Sequence, residues 1–90
     1  MEDKYEKLKE QLNAGTSWPS VYMFKFIVPA DNQKIAQVEN LFNTTEAEVT
    51  MRTSKNGNFI SITAKEMMMS ADKVIERYRQ AEGIEGLISL

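Results

Sequence analysis

The sequence predicts an α+β fold of ferredoxin-like βαββαβ order, with one extra helix in front of it. Three observations carry this expectation. Apolar residues recur at helical spacing in three segments and alternate or cluster in four others, an Asn-Gly pair sits between two of the alternating runs, and the runs follow one another in that order. Ninety residues is enough chain for one core, and 42% hydrophobic with 27% charged residues is an ordinary globular composition, so the chain is expected to fold.

The leading segment, 3–13, places Tyr5, Leu8 and Leu12 three and four residues apart with charges between them, the pattern of a surface helix with a narrow apolar stripe. Gly15 ends it, and 16–19 reads as a connector in which Pro19 holds Trp18 out of the helical region. The expected organisation is therefore a helix and connector over 1–17 and a single ferredoxin-like domain over 18–90.

Segment 20–28 is the strongest strand, stopped by Pro29. Tyr22, Phe24, Phe26 and Val28 make a wholly apolar face, whereas Val21, Met23, Lys25 and Ile27 carry a lysine in their middle, so the first set is assigned to the core. Asp31 or Asn32 caps the next helix, whose Ile35, Val38, Leu41 and Phe42 share one side. Segments 47–53 and 59–65 then alternate around Asn56-Gly57, read as a two-residue hairpin turn. That turn sets Thr53 opposite Ile60, Met51 opposite Ile62 and Val49 opposite Ala64 on one surface, with Arg52–Ser61, Thr50–Thr63 and Glu48–Lys65 on the other.

Ser70 caps a third helix with the stripe Ala71, Val74, Ile75, Tyr78 and Ala81, ended by Gly83. A last apolar-leaning strand, 84–90, is weakened by Gly86. Two right-handed crossovers around one hairpin give a four-stranded antiparallel sheet of order 4-1-3-2, with both crossover helices on one face and the other face open.

Composition removes several chemistries. Without cysteine or histidine the chain has no thiol nucleophile, thiolate or imidazole metal ligand, or histidine general base, so no metal and no cofactor is expected. A formal charge of -2 supplies no basic face for a phosphate backbone, so nucleic acid is not an expected partner. The first ten residues are charged and lack the apolar core of a signal peptide, and no stretch approaches a membrane span. The expectation is a cytoplasmic protein without a membrane partner.

Two motifs give the chain a family likeness. Trp18-Pro19-Ser20-Val21-Tyr22-Met23-Phe24-Lys25 and Ser54-Lys55-Asn56-Gly57-Asn58-Phe59-Ile60-Ser61-Ile62 together resemble the YbeD-like family of small bacterial proteins of unknown function, a likeness covering roughly 18–90. The resemblance implies a ferredoxin-like fold related to ACT-type regulatory domains, which sense small molecules, and a loose association with lipoate metabolism. It implies no catalytic residues.

Two candidate sites follow. The open sheet face would present Met23, Lys25, Ile27, Arg52, Phe59 and Leu87, a mixed apolar and cationic surface suited to a protein partner or to self-association. The leading helix or a second copy of the chain is expected to cover it. The second candidate, Pro29, Asp31 and Asn32, opens a helix whose free amides suit an anionic effector, with plain capping by Asp31 as the competing reading. Met67-Met68-Met69 reads as a plug for the end of the core, and Trp18 as an anchor for the strand entry. Asp31, Glu46, Glu48, Asp72 and Glu85 fall in separate elements without metal-loop spacing.

The expected function is a non-enzymatic regulatory or adaptor domain, ACT-like, binding a protein partner or a small-molecule effector. The alternatives are a small phosphatase-like enzyme or a single-stranded RNA-binding domain. The first lacks the glycine and arginine wanted in loop 29–32, and the second has Ser61 and Thr63 where stacking aromatics belong.

Overall fold

The structure is a computed structural model describing residues 4–44 and 46–90. Its elements are α1 (Glu6–Gly15), β1 (Ser20–Pro29), α2 (Asn32–Leu41), β2 (Glu48–Thr53), β3 (Phe59–Met68), α3 (Ala71–Ala81) and β4 (Ile88–Ser89). The four strands form one antiparallel sheet with neighbour order β2-β3-β1-β4. Among the described residues no helix is long and apolar enough to cross a membrane.

The core lies between one sheet face and the helices α2 and α3. Phe24, Phe26 and Val28 of β1 and Ile62 and Ala64 of β3 are buried against Val38 and Phe42 at α2 and Val74 and Tyr78 of α3. Aromatic rings supply much of this contact: Phe24 meets Phe42 at a centroid distance of 5.2 Å and Tyr78 at 5.3 Å. Both helices begin where a polar side chain replaces the missing intrahelical acceptor, Asp31 Oδ1 accepting from Gln33 N at 2.8 Å and Ser70 Oγ from Lys73 N at 3.2 Å.

The hairpin keeps the register set by alternation, with Met51 opposite Ile62 and Glu48 opposite Lys65. Its loop differs from the two-residue turn expected. Ser54 N donates to Phe59 O and Gly57 N to Ser54 O, so residues 55–58 form a four-residue loop in which Gly57 alone takes a positive φ, 75°. Both loops are centred on Asn56-Gly57, which is why the register is unaffected.

The chain departs from expectation in three further places. Strand β3 runs on to Met68 rather than stopping at Lys65, because Glu66 and Met68 continue the inward-facing set; Met68 is buried while Met67 and Met69 are exposed. Glu66 is tolerated there because the Arg77 guanidinium binds it twice, Nη1 to Oε1 at 2.8 Å and Nη2 to Oε2 at 3.4 Å. The last strand is shorter than the expected 84–90. Ile84 turns into the core and Gly86 takes a φ of 83°, so pairing with β1 starts only at Ile88.

The third departure concerns the leading helix. Its stripe of Tyr5, Leu8 and Leu12 packs on the helical side, next to α3, and does not cover the open sheet face. The Tyr5 ring stacks on Tyr78 at 6.1 Å and 15°, Lys4 and the Tyr5 hydroxyl both engage Glu82, and Lys9 Nζ meets Asp72 Oδ1 at 2.8 Å. Physical chemistry favours this side. An apolar stripe finds an aromatic partner and matching charges on α3, whereas the centre of the open face holds Lys25, Thr63 and Lys65, which the stripe would strip of water without replacing it.

Candidate functional site

The open face of the sheet is a layered surface whose order follows from the strand register. At one end Val21 lies beside Met67, followed by Met23 beside Lys65 and Glu48. Next come Lys25, Thr63 and Thr50, then Ile27, Ser61 and Arg52, and finally Pro29 beside Phe59. Ile88 extends the Ile27 row on the β4 side. Apolar groups therefore occupy the two ends and the β4 margin, and a polar band crosses the middle.

Val21, Met23, Phe59, Met67 and Ile88 are all exposed, although each is large and apolar. Between them, Lys25, Thr50, Arg52, Ser61 and Thr63 line a shallow depression of about 300 Å³. Its polar groups are two cations and three hydroxyls, with no carboxylate. Neither Lys25 nor Arg52 enters an ion pair among the described residues. Such a surface can accept an acidic or amide-bearing group at its centre while apolar groups of the same partner settle on either side.

Five of the six residues expected at this face, Met23, Lys25, Ile27, Arg52 and Phe59, stand together on it. Leu87 does not. It is half-buried and packs against the core, and Ile88 takes the outward position beside Ile27. The displacement follows from the turn at Gly86, which shifts the inward and outward alternation of the last residues by one place.

The loop candidates are separated in role. Pro29 ends β1 and packs close to Gly86, where an added Cβ would come within 3.1 Å of its Cγ. Asp31 places its own carboxylate on the Gln33 amide in the first turn of α2, and Asn32 is an exposed residue of the same turn. A larger hollow of about 540 Å³ separates α1 from α3, with Tyr5 and Ile75 against Lys9, Asp72 and Arg79. Lys9 and Asp72 are already paired with each other there.

Two features escaped sequence reasoning. The Glu66–Arg77 pair is almost wholly buried, with the guanidinium lying 4.8 Å from the Phe42 ring centroid. Continuing the alternation of β3 one residue beyond Lys65 would have placed Glu66 inward and demanded a cation. The second is a tyrosine chain from Tyr5 through Tyr78 to Tyr22, whose last two hydroxyls lie 2.9 Å apart. Burial, then the Tyr22 hydroxyl, pushes the Tyr78 phenol well above its ordinary value. Among the described residues no group of acidic side chains converges as a metal site.

No curated protein and no solved structure matches the chain. One family model does, over residues 13–89, which runs from the end of α1 through β4 and takes in the whole open face. The chain belongs to the DUF493 family, described as proteins of unknown function.

Proposed function

We propose that the chain is a non-enzymatic regulatory or adaptor domain of ferredoxin-like, ACT-related type, acting in the cytoplasm by docking a protein partner on its open sheet face. The observation that carries this reading is the arrangement of that face: exposed Val21, Met23, Met67, Phe59 and Ile88 frame an uncompensated cationic centre at Lys25 and Arg52. Large apolar groups left in water around a polar centre resemble the anatomy of an interface, and the cations select a partner segment bearing a carboxylate. Loop 29–32 supports an effector less well, because Asp31 already fills the amide site that an anion would use.

The test is a comparison of two baits. The full chain and its Met23→Glu/Arg52→Glu variant, both shown to be folded by circular dichroism, are used to capture proteins from a bacterial extract. The reading expects a partner retained by the unaltered face and lost from the variant, and restored binding when an acidic residue of that partner is reversed to lysine. Identical captured sets from the two baits would overturn it.

A further inference from the structure

Strand β2 is an edge strand, hydrogen-bonded to β3 alone. Its residues Glu48–Thr53 hold an unbroken register with β3, and they contain neither proline nor a bulge. Sheets usually blunt a free edge with one of those devices, with like charges, or with a covering element. Here the charges are one acid and one base, placed symmetrically about Thr50 in the run Glu48-Val49-Thr50-Met51-Arg52.

The direction of the edge groups follows from the hairpin. Ser54 N donates to Phe59 O at 2.8 Å, so alternate residues of β2 counted back from Ser54, namely Arg52, Thr50 and Glu48, turn their amides and carbonyls toward β3. Val49, Met51 and Thr53 therefore turn theirs to the free edge. Those groups are left to water, and a strand laid antiparallel can take its place.

We propose that β2 pairs antiparallel with β2 of a second copy of the chain, about a two-fold axis at Thr50, to make one continuous sheet of twice the width. In this register Val49 lies opposite Met51 of the other copy, and the two exchange the amide–carbonyl bonds for which their backbones are already turned outward. Thr50 meets its own equivalent, and Glu48 meets Arg52. These last pairs fall at the non-hydrogen-bonded positions, where opposed Cα atoms stand only about 4.5 Å apart and side chains approach most closely.

Both surfaces of the joint are complementary. On the open face each Glu48 gains an Arg52, and the two-fold axis repeats the pair; within the chain Lys65 stands across from Glu48, yet neither Glu48 nor Arg52 forms an ion pair among the described residues. On the helical face Met51, 44% exposed, and half-buried Val49 cover one another. A shift of two residues in one direction sets Arg52 opposite Thr50, and in the other moves its acidic partner to Glu46, outside the strand. The central register alone uses every charged residue of β2. The contact is isologous, so it closes on a dimer and does not propagate into a fibre.

The pairing uses the sheet edge but shares Arg52 with the open face, so Met51→Pro, which leaves every open-face side chain in place, is the variant that separates it from partner docking. Sedimentation equilibrium of the full chain across a wide concentration range is expected to show a reversible dimer. Met51→Pro deletes an outward amide without touching the β3 ladder, and is expected to leave a folded monomer by circular dichroism. Arg52→Glu or Glu48→Arg turns two attractive contacts into repulsive ones and is expected to weaken the dimer about tenfold or more. The double variant Glu48→Arg/Arg52→Glu is expected to recover it. A chain that remains monomeric at every concentration overturns the proposal, as does a dimer indifferent to Met51→Pro or a double variant that stays as weak as the single ones.

Discussion

Phe24 and Met23 are neighbours on β1, yet the first has no exposed surface and the second keeps 54% of its surface in water. The same contrast separates Phe26 from Lys25, and a weaker one separates Val28 from half-buried Ile27. One backbone thus serves two purposes. Its inward residues are fixed by rings and aliphatic groups from α2 and α3, so their size and shape matter; its outward residues touch little, so their chemistry is free to serve contact with something else. Strand β3 repeats the division, with Ile62, Ala64 and Met68 inward and Ser61, Thr63 and Lys65 outward. The lesson is that burial and apolarity part company on the open face, where Val21, Met23 and Phe59 are apolar yet exposed.

Substituting each of the two neighbours is the most direct way to break that comparison. Phe24→Ala removes a ring packed among Phe26, Phe42 and Tyr78, and a cavity of that kind costs roughly 3 to 5 kcal/mol, a large share of what a domain this size has. Met23→Ala is expected to change stability by no more than about 0.5 kcal/mol, as surface substitutions usually do. Urea midpoints of the two variants decide the matter. Similar midpoints would mean that both faces are structural and that the open one is not a reserve for binding.

A second substitution sharpens the inward side. Arg77 neutralises Glu66 under the rings of Phe24 and Phe42. Arg77→Met keeps most of the packing volume and strands the carboxylate, so the expected loss is about 3 kcal/mol, the lower end for breaking a buried pair because a little water reaches both groups. Adding Glu66→Gln to Arg77→Met is expected to recover part of that loss. If the single Arg77→Met variant unfolds at the same urea concentration as the original chain, the pair is a bystander, and the helix-covered face is less demanding than its burial suggests.

Much of this division was legible in the residues. The alternation Tyr22, Phe24, Phe26, Val28 against Val21, Met23, Lys25, Ile27 marked both faces of β1, and polar-with-polar sorting fixed the hairpin register. Alternation is a local signal with a period of two, so it survives without knowledge of the rest of the chain. What escaped depends on contacts between distant elements. Nothing near Glu66 in sequence shows that Arg77 reaches it, and nothing near Leu87 shows that the turn at Gly86 rotates it inward. The site of α1 escaped for the same reason: the stripe of Tyr5, Leu8 and Leu12 says that a partner exists, while the choice between α3 and the open face rests on Tyr78, Asp72 and Glu82, some seventy residues away by the count of the chain.

The smallest expected effect lies at α1, which carries an apolar stripe like a core helix but has no fully buried residue. A helix of this length is marginal alone in water, so its helical signal reports its docking on α3. Three titrating groups bound that docking: Asp72 of α3 holds the Lys9 ammonium above its ordinary range, so this pair, too, contributes below that range and is lost as pH climbs through the raised value. Lys4, then Tyr5, holds the Glu82 carboxyl below its ordinary range, while burial, then the Glu82 contact, pushes the Tyr5 phenol from 10.0 up to about 12. A depressed carboxylate contributes above its ordinary range and loses that contribution as pH falls through the depressed value. A raised phenol contributes below 10.0 and loses its contribution as pH climbs from there through about 12. Docking is therefore expected to hold steady across neutral and mildly alkaline pH and to weaken at both extremes, well before the sheet and α3 unfold. The measurement is the NMR signal of the Tyr5 ring, followed with pH beside that of buried Phe26. Tyr5→Phe keeps the stack on Tyr78 and removes the ionisable hydroxyl, so the alkaline step in helical content is expected to shrink to the part carried by Lys9, and the acidic step to the part carried by Lys4 on Glu82. An alkaline step of undiminished size in Tyr5→Phe, or a Tyr5 signal in the original chain that changes only together with Phe26, would show that α1 has no separate docking equilibrium and belongs to the core as firmly as α3 does.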